Sequence, residues 1–332
     1  MPMRAVRIHA TGGPQVLAVE EVPRPRAGPG LVLVRNRAIG VGMPDVMVRR
    51  GTYPWMPQLP AILGIESAGV VEEVGPGVQD VQPGDPVYVN ARDLPERSGG
   101  YAEYRLAPAA AVHRLPAHCD LVRAAGLGNY QVAEGLLRMA PGFPPPRRIA
   151  VYGAAGGVGS AAVQLARSRG LEVIAIAGSA AKCDFARRQG ASATIDHSRQ
   201  DPVQAIADVT AGEGVDLLLD VASGALLPRL FDALAPFGIV VSYGFTTGEP
   251  ATETVPAMRR RFGRSPGWRL FSMHSLDDRP DLRRTLTREV IDAFARGAID
   301  PQVDRTLPLE RARDAHELFE RKALLGKLVL LP

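Results

Sequence analysis

Apolar and polar positions follow two different patterns along the chain. The first part contains short apolar runs separated by Gly- and Pro-rich turns, which is typical of a mostly antiparallel β domain. These runs predict strands at residues 4–9, 16–22, 31–35, 68–74 and 86–90. The turns between them include Thr11-Gly12-Gly13-Pro14, Gly75-Pro76-Gly77 and Pro83-Gly84-Asp85.

From about Leu121 to residue 275, apolar runs of strand length alternate with segments of helical period, such as 179–189 and 226–234. This alternation indicates an α/β class with a doubly wound parallel sheet, which binds ligands at the carboxyl ends of its strands. The predicted strands are Arg148–Tyr152, Glu172–Ala177, Ala193–Ile195, Val215–Val221, Gly238–Ser242 and Trp268–Met273.

The last part of the chain predicts helices at 281–296 and 309–321 and a final strand at Gly326–Leu331. Because this strand has no obvious partner in the parallel sheet, we expect it to return to the first domain. The sequence therefore predicts one domain of residues 1–121 and 276–332 and a second of residues 122–275. A length of 332 residues accommodates two domains.

A glycine-rich turn joins a predicted strand to a predicted helix between Arg147 and Gly170. Gly153, Gly156 and Gly159 have the spacing G-x-x-G-x-x-G, which differs from the commoner G-x-G-x-x-G. Glycines let the backbone turn sharply and approach a pyrophosphate, whose charge is stabilised at the helix N-terminus. The strand and helix on either side make a dinucleotide site the favoured interpretation over a turn without a ligand.

Composition narrows the class of protein. The hydrophobic fraction of 46% and the charged fraction of 22% are those of an ordinary globular protein. Two cysteines exclude a disulfide framework and a multi-cysteine zinc lobe. Basic residues are mostly scattered among acids, so nucleic-acid binding is not expected. The N-terminus has no apolar signal region and no run could span a membrane, so we expect a cytoplasmic enzyme.

Several motifs occur in an order that resembles the medium-chain dehydrogenase/reductase superfamily, in its zinc-independent, quinone oxidoreductase-like branch. The resemblance covers essentially the whole chain. It implies a GroES-like catalytic domain, a Rossmann domain, a cleft for nicotinamide and substrate between them, and a homodimer joined through the sixth Rossmann strand. The matching segments are residues 51–54, 63–71, 74–78, 83–85, 99–104, 153–159 and 326–330.

The resemblance also implies a reaction without a metal. In the zinc-dependent relatives, a cysteine and the histidine of a Gly-His-Glu motif bind the catalytic ion. This chain has Gly42 and Ile65 at those places, and neither offers the thiolate, imidazole or carboxylate that zinc requires. Glu66 is retained, but one carboxylate does not form a zinc site.

The end of the second predicted parallel strand indicates the cofactor. NAD enzymes usually carry an acid there for the ribose 2′-hydroxyl, whereas this chain has Ser179 and Lys182, which suit a 2′-phosphate. The resemblance adds His197 and Arg199 after the third strand, so NADPH is the predicted cofactor. The full set of predicted cofactor contacts is Gly153, Ala155, Gly156, Gly157, Val158, Gly159, Ser179, Lys182, His197, Arg199, Gly244 and Lys327.

The resemblance implies hydride transfer to a quinone or to the β-carbon of an α,β-unsaturated carbonyl. Without zinc, hydrogen-bond donors must stabilise the enolate that develops. Tyr53, in Gly-x-Tyr-Pro, is the first candidate for this hydrogen-bond donor. The alternative interpretation is that Tyr53 only packs beside Trp55. Asp45 matches a frequent family acid with a catalytic or orienting role.

The chain departs from the family where Gly42 replaces a frequent Asn and Val132-Ala133 replaces Thr-Ala. Asn129 and Gln131 are the candidates to supply the missing polar contacts. These departures leave two alternatives open beside an NADPH-dependent quinone or enone reductase. One is a pathway-specific enoyl reductase acting on a polyketide or thioester intermediate. The other is an NADPH-binding sensor, or an RNA-binding crystallin-like protein, with little turnover.

A basic segment at 259–264 is a further candidate for binding an anionic substrate. The alternative is an ordinary solvated loop, which is what most runs of charge are.

Overall fold

A computed structural model of the chain describes residues 1–138 and 145–332, which form two compact units. Unit 1 contains Met1–Gly128 and Thr287–Pro332, and unit 2 contains Asn129–Leu286. Each unit has its own sheet architecture and its own core. The predicted domain boundaries at 121 and 276 fall slightly earlier in the chain than these unit boundaries.

The strands of the described residues follow one another in chain order. They are β1 Pro2–Ile8, β2 Ala18–Pro23, β3 Leu31–Val41, β4 Ala61–Ile62, β5 Glu66–Val74, β6 Pro86–Asn90, β7 Tyr104–Pro108, β8 Val112–Arg114, β9 Arg148–Tyr152, β10 Glu172–Ala177, β11 Ala193–Asp196, β12 Val215–Asp220, β13 Leu234–Ser242, β14 Gly267–Leu270, β15 Val303–Pro308 and β16 Lys327–Leu331.

The helices of unit 2 alternate with its strands, and those of unit 1 lie at the connections of its sheets. They are α1 Met43–Arg50, α2 Leu121–Ala124, α3 Leu127–Arg138, α4 Gly157–Ser168, α5 Ala180–Arg188, α6 Pro202–Val209, α7 Leu227–Leu230, α8 Thr254–Arg260, α9 Pro280–Ala295 and α10 Ala312–Glu320. Within the described ranges, none of them is both long and apolar enough to cross a membrane.

Unit 1 is built around a mostly antiparallel sheet in the order β15-β16-β3-β5-β6-β8, with β7 also paired to β3. Only β15 and β16 pair in parallel within this sheet of the described chain. A smaller antiparallel sheet has the order β2-β1-β4. The fold is therefore the GroES-like, antiparallel one that the sequence predicts.

The final strand, β16, returns to unit 1, as predicted. Leu328 pairs with Val41 and Leu330 with Ile39 in an antiparallel register. Ile39, Val41, Leu328 and Leu330 are buried in one apolar cluster with Tyr53 and Tyr101. Burial of this apolar surface is what fixes the chain's C-terminal strand beside β3.

Unit 2 is a parallel sheet in the order β11-β10-β9-β12-β13-β14. The chain order reverses between β9 and β12, and ligands of such sheets bind at the carboxyl ends of the strands beside this reversal. The strands are buried on both faces, which explains their continuous apolar sequences. This confirms the predicted doubly wound Rossmann sheet.

The sequence misplaces some element ends. The predicted strand at Trp268–Met273 stops at Leu270 and is followed by a 3₁₀ turn at Met273–Leu276. The predicted strand at 31–35 continues to Val41, because its second half pairs with β5 and β16. Pairing partners that are distant in sequence decide these ends.

We expect Gly69→Ala to destabilise unit 1 by about 1–3 kcal/mol through overpacking. Gly69 lies in β5, where a Cβ would collide with the carbonyl oxygen of Arg35 on β3. Gly28→Ala is the control, because its new Cβ would lie 3.9 Å from Leu31 Cδ1. Urea unfolding of the two variants measures the difference, and equal midpoints would contradict the prediction.

Candidate functional site

The glycine turn of unit 2 has the geometry of a phosphate cradle. It leaves β9 at Gly153, whose φ of 74° is unfavourable for residues with a Cβ, and α4 begins at Gly157. A Cβ on Gly159 would collide with the carbonyl oxygen of Gly153, so the turn and the first helical turn pack too closely for a side chain at position 159. The first N–H groups of α4 follow this turn directly, at a helix end where an anion is stabilised.

Asn129 lies against this turn. A Cβ on Gly157 would collide with the Asn129 side-chain amide, so the amide packs directly on the backbone of the turn. Gln131 follows it in α3 and is buried. The Asn129 amide is thus beside the cradle, and its predicted contact with a substrate stays a prediction.

Three of the predicted cofactor residues cluster at the carboxyl ends of β10 and β11. Ser179 caps the N-terminus of α5, and its hydroxyl accepts a hydrogen bond of 3.3 Å from the Lys182 backbone N–H. His197 stacks on Tyr152 at the end of β9, with ring centroids 5.0 Å apart. The ideal Cβ position of Gly178 is 3.1 Å from His197 Nε2, so a side chain there would press on the imidazole. Parallel pairing of these strands brings Ser179, Lys182 and His197 to one edge.

Arg199 is exposed and lies just beyond this cluster. Its backbone N–H donates to the carbonyl oxygen of Asp196, and its side chain lines a surface pocket. Asp184 and Arg187 line the same pocket, which opens over α5. The predicted contact of Arg199 with the cofactor stays a prediction.

A buried carboxylate that sequence reasoning missed organises the next strand end. Asp220, at the end of β12, accepts hydrogen bonds from the backbone N–H groups of Ala222 and Ser223, at 2.8 and 3.0 Å, and from the Ser242 hydroxyl at 2.9 Å. Ser223 has a φ of 56°, which this network stabilises. The network positions the loop that carries Gly244, another predicted cofactor contact. The sequence signal that could have revealed Asp220 is an acid at the end of an apolar strand.

In unit 1, Asp45 is buried between two backbone donors. Its carboxylate accepts hydrogen bonds from the N–H groups of Gly42, at 2.8 Å, and Ile65, at 3.0 Å. Burial raises the Asp45 pKa to about 7, while the Lys327 ammonium opposes that rise. Asp45 therefore joins the start of α1 to the segment before β5, and its predicted catalytic or orienting role stays a prediction.

Lys327 and Glu66 form a buried ion pair beside Asp45. Lys327 Nζ lies 2.5 Å from Glu66 Oε1, and both side chains are almost inaccessible to solvent. Glu66 Oε2 also accepts hydrogen bonds from the Tyr88 hydroxyl, at 3.0 Å, and from the Gly128 N–H, at 2.8 Å. The Lys327 ammonium is thus engaged within unit 1, and its predicted contact with the cofactor stays a prediction.

The residues at this place do not fit a zinc ion. Gly42 has no side chain, Ile65 is apolar, and the Lys327 ammonium holds the retained Glu66 carboxylate. The ideal Cβ position of Gly42 is 3.7 Å from Lys327 Nζ, so a cation already faces this position. Among the described residues, no group of three or more His, Cys, Asp or Glu side chains could hold a metal.

Tyr53 lies in the loop after α1 and is largely buried. Its ring packs at 5.8 Å from that of Trp55, which is the contact expected from packing alone. Its hydroxyl also forms a hydrogen bond with the Arg97 side chain. Burial raises the Tyr53 pKa, and the charges of Arg92 and Arg97 oppose that rise. A raised pKa keeps the Tyr53 hydroxyl protonated, and its predicted role as hydrogen-bond donor to a substrate stays a prediction.

Comparisons with known proteins agree with this fold. Family models match residues 28–117, as an alcohol dehydrogenase GroES-like domain, and residues 157–264, as a zinc-binding dehydrogenase. A 2-haloacrylate reductase from Burkholderia sp. is 34% identical over 100% of this chain and 99% of its own.

Solved structures agree as well. A quinone oxidoreductase from Pseudomonas syringae pv. Tomato DC3000 has a TM-score of 0.87 at 29% identity, covering 99% of this chain and 100% of that one. Escherichia coli quinone oxidoreductase, solved in complex with NADPH, has a TM-score of 0.86 at 28% identity with the same coverage. The chain belongs to the medium-chain dehydrogenase/reductase family, and within it to the quinone oxidoreductase-like branch.

We expect Lys327→Met and Glu66→Gln each to destabilise the protein by about 3–5 kcal/mol, because either change leaves one buried member of the pair without its partner. The free energy of unfolding lost in the double variant should be clearly smaller than the sum of the losses in the two single variants. Urea unfolding of the wild type, the two single variants and the double variant measures these losses.

The exposed pair Arg187–Asp184 provides the control for this cycle, since both side chains are more than half exposed. Breaking it should cost at most about 1 kcal/mol. Additive losses at Glu66 and Lys327 would contradict the proposed coupling.

Proposed function

We propose that the chain is a metal-independent, NADPH-dependent reductase that delivers hydride to a conjugated acceptor, a quinone or an α,β-unsaturated carbonyl. The observation that carries this proposal is the glycine turn at Gly153–Gly159, which leads into the N-terminus of α4, together with Ser179, Lys182 and His197 at the neighbouring strand ends. The Escherichia coli relative complexed with NADPH supports the cofactor, and the 2-haloacrylate reductase supports a conjugated acceptor.

In this proposal, NADPH is the hydride donor, and unit 2 binds it through two charge-complementary regions. The N–H groups at the start of α4 receive the pyrophosphate. Lys182 and His197 receive the 2′-phosphate, and the Ser179 hydroxyl, which accepts from the Lys182 N–H, can still donate to a phosphate oxygen. Asn129 orders the turn beneath the pyrophosphate.

In unit 1, Tyr53 donates a hydrogen bond to the acceptor's carbonyl oxygen as negative charge develops there. A buried phenol with a raised pKa remains protonated near neutral pH, so it can stabilise an enolate and supply a proton to it. Asp45 acts through the backbone by fixing the position of α1, which precedes Tyr53. Gln131 stays a candidate for a further polar contact.

We also propose a cytoplasmic homodimer. Its support is the position of β14, which lies at the edge of the unit 2 sheet and pairs only with β13 among the strands described. Leu270, at the end of this strand, exposes more than half of its surface. An edge strand with such a residue is suited to pairing with a second copy.

We expect Lys182→Ala to weaken NADPH binding about ten- to hundredfold, because a charge-assisted contact with the 2′-phosphate contributes about 1.5–3 kcal/mol. NADH lacks that phosphate, so the affinity of the variant for NADH should fall by less than about twofold. Fluorescence titration with both cofactors measures the two losses. Lys322→Ala is the matched lysine control, and equal losses for NADPH and NADH would refute the assignment.

The proposed activity is tested by following NADPH oxidation in the presence of simple quinones and enones. We expect Tyr53→Phe to lower kcat on the order of 100-fold, as loss of a proton or oxyanion donor does, with a smaller change in KM. Tyr104→Phe is the control, since Tyr104 packs under the Arg24 guanidinium.

Two results would count against these assignments. Tight NADPH binding with no turnover of any conjugated acceptor would refute the reductase proposal. Turnover that is unchanged in Tyr53→Phe would remove Tyr53 from the mechanism while leaving the reductase in place.

A further inference from the structure

His197 lies at the strand ends of unit 2 with a ring that is held in place by packing. The imidazole stacks on the Tyr152 ring, with centroids 5.0 Å apart and planes inclined by 21°. Its backbone N–H donates a 2.9 Å hydrogen bond to the Ala177 carbonyl oxygen, which ties the residue to the end of β10. The position of the ring is therefore set before a cofactor binds.

The edge of the ring that carries Nε2 lies beside the start of α5. Nε2 and Cε1 are the atoms nearest to the ideal Cβ position of Gly178, at 3.1 and 3.3 Å. Gly178 directly precedes Ser179, the N-cap residue of α5. Because the first N–H groups of a helix stabilise anions, this edge of the imidazole faces a place where a phosphate is favoured.

The two ring nitrogens of His197 are available to a ligand. Neither forms a hydrogen bond with any residue that the structure describes, and the side chain is exposed to solvent. By contrast, His9, His113 and His274 each have a ring nitrogen within 3.2 Å of a carboxylate oxygen. An imidazole without such a partner can gain a proton when an anion arrives.

Charged and titratable groups surround His197 on several elements, but the carboxylates among them have other donors. Asp196 accepts hydrogen bonds from the Ser198 N–H, at 3.0 Å, and from its hydroxyl, at 2.6 Å. Asp184 pairs with Arg187, and Asp220 accepts from backbone and hydroxyl groups. The imidazolium therefore has no hydrogen-bonded carboxylate within the described part of the chain. The surrounding groups are Asp196 and Arg199 on its own segment, Lys182, Cys183 and Asp184 of α5, Tyr152 of β9, Asp220 of β12 and Asp201 before α6.

The basic segment at 259–264 is a weaker candidate for an anion site. Arg261 Nε lies 2.6 Å from Asp232, and Arg264 donates to the Glu213 carbonyl oxygen. The other arginines of the segment are exposed to solvent. Arginines that are paired or solvated in this way do not form a built site.

We propose that His197 makes the selectivity for NADPH over NADH depend on pH, by carrying a positive charge that the 2′-phosphate stabilises. This inference rests on the proposed placement of the 2′-phosphate beside Ser179, Lys182 and His197, and it identifies the residue that tunes the selectivity of that site. Histidine is the side chain whose charge ordinarily changes between about pH 5 and 8. An arginine at the same position would stay charged throughout that range.

The sign follows from the charge that each cofactor brings. The 2′-phosphate of NADPH is close to a dianion at neutral pH, whereas NADH has a hydroxyl there. Because the dianion stabilises the imidazolium, binding of NADPH takes up a proton and binding of NADH does not. The extra affinity for NADPH is complete on the acid side of the imidazole titration and is lost as the pH rises through it.

The test measures the dissociation constants of NADP⁺ and NAD⁺, which differ at the same 2′ position and are stable in acid, at about pH 6 and about pH 8.5. In the wild type, the ratio of the NAD⁺ constant to the NADP⁺ constant should fall about five- to tenfold as the pH rises, the size of one charge-assisted contact. The NAD⁺ constant alone should change by less than about twofold.

Two variants separate the charge of His197 from its packing. His197→Phe keeps a ring for stacking on Tyr152 and removes the charge, so its ratio should be low and should lack the wild-type fall. His197→Arg keeps a charge at every pH, so its ratio should stay high at both. His9→Phe is the matched control, since His9 is an exposed histidine of unit 1 that pairs with Glu20, and it should retain the wild-type fall.

The cofactor phosphate also titrates, with a second ionisation at about pH 6, and its protonation weakens binding to every variant. The difference between the wild type and His197→Phe removes this shared effect. Calorimetry in two buffers of different ionisation enthalpy counts protons directly. At about pH 7.5, NADP⁺ binding should take up more protons in the wild type than in either His197 variant, and NAD⁺ binding should take up none.

The outcomes separate this inference from the function on which it rests. A ratio that does not change with pH in the wild type, or that falls equally in His197→Phe, would overturn the role of His197 and leave the NADPH-dependent reductase intact. Equal affinity for the two cofactors at both pH values would overturn the placement of the 2′-phosphate as well. Failure of the reductase proposal has a different signature, which is NADPH binding without reduction of any conjugated acceptor.

Discussion

The buried pair of Glu66 and Lys327 is the interaction on which unit 1 depends. Lys327 begins the last strand of the chain, and Glu66 begins β5, so the pair joins the C-terminal segment to the sheet. Glu66 also binds the Tyr88 hydroxyl of β6 and the Gly128 N–H at the start of α3. Because a buried charge without its partner is strongly unfavourable, loss of either Glu66 or Lys327 destabilises this part of unit 1. Gly40 leaves the room that this pair occupies, since a Cβ there would lie 2.8 Å from Glu66 Cγ.

The same pair is one reason why the residues at this place do not fit a zinc ion. Where zinc-dependent relatives require donors, this chain has a glycine, an isoleucine and a lysine ammonium, which occupies the retained carboxylate. In the proposed reaction, activation of an acceptor then depends on hydrogen-bond donors, and Tyr53, whose ring packs against Trp55, is the proposed donor.

In unit 2 the governing constraint is steric. The turn at Gly153–Gly159 requires glycine where it approaches α4 most closely, since a Cβ on Gly159 would collide with the Gly153 carbonyl oxygen. The neighbouring strand ends add side chains in a fixed order, with Ser179 after β10, His197 after β11 and the Asp220 network after β12. Parallel strands bring all of these ends to one edge, although the residues are dispersed over about 90 positions of the sequence.

The sequence by itself determined the parallel sheet and the antiparallel first domain, because apolar periodicity and turn residues are local signals. It also determined the lack of zinc donors at Gly42 and Ile65, since residue type alone decides that. Only the tertiary structure decided that Lys327 meets Glu66, 261 positions away, that Asp45 is buried on backbone donors, and that Asp220 organises a loop. These relations depend on strand register and on which polar groups are buried together, and no local pattern along a chain encodes either.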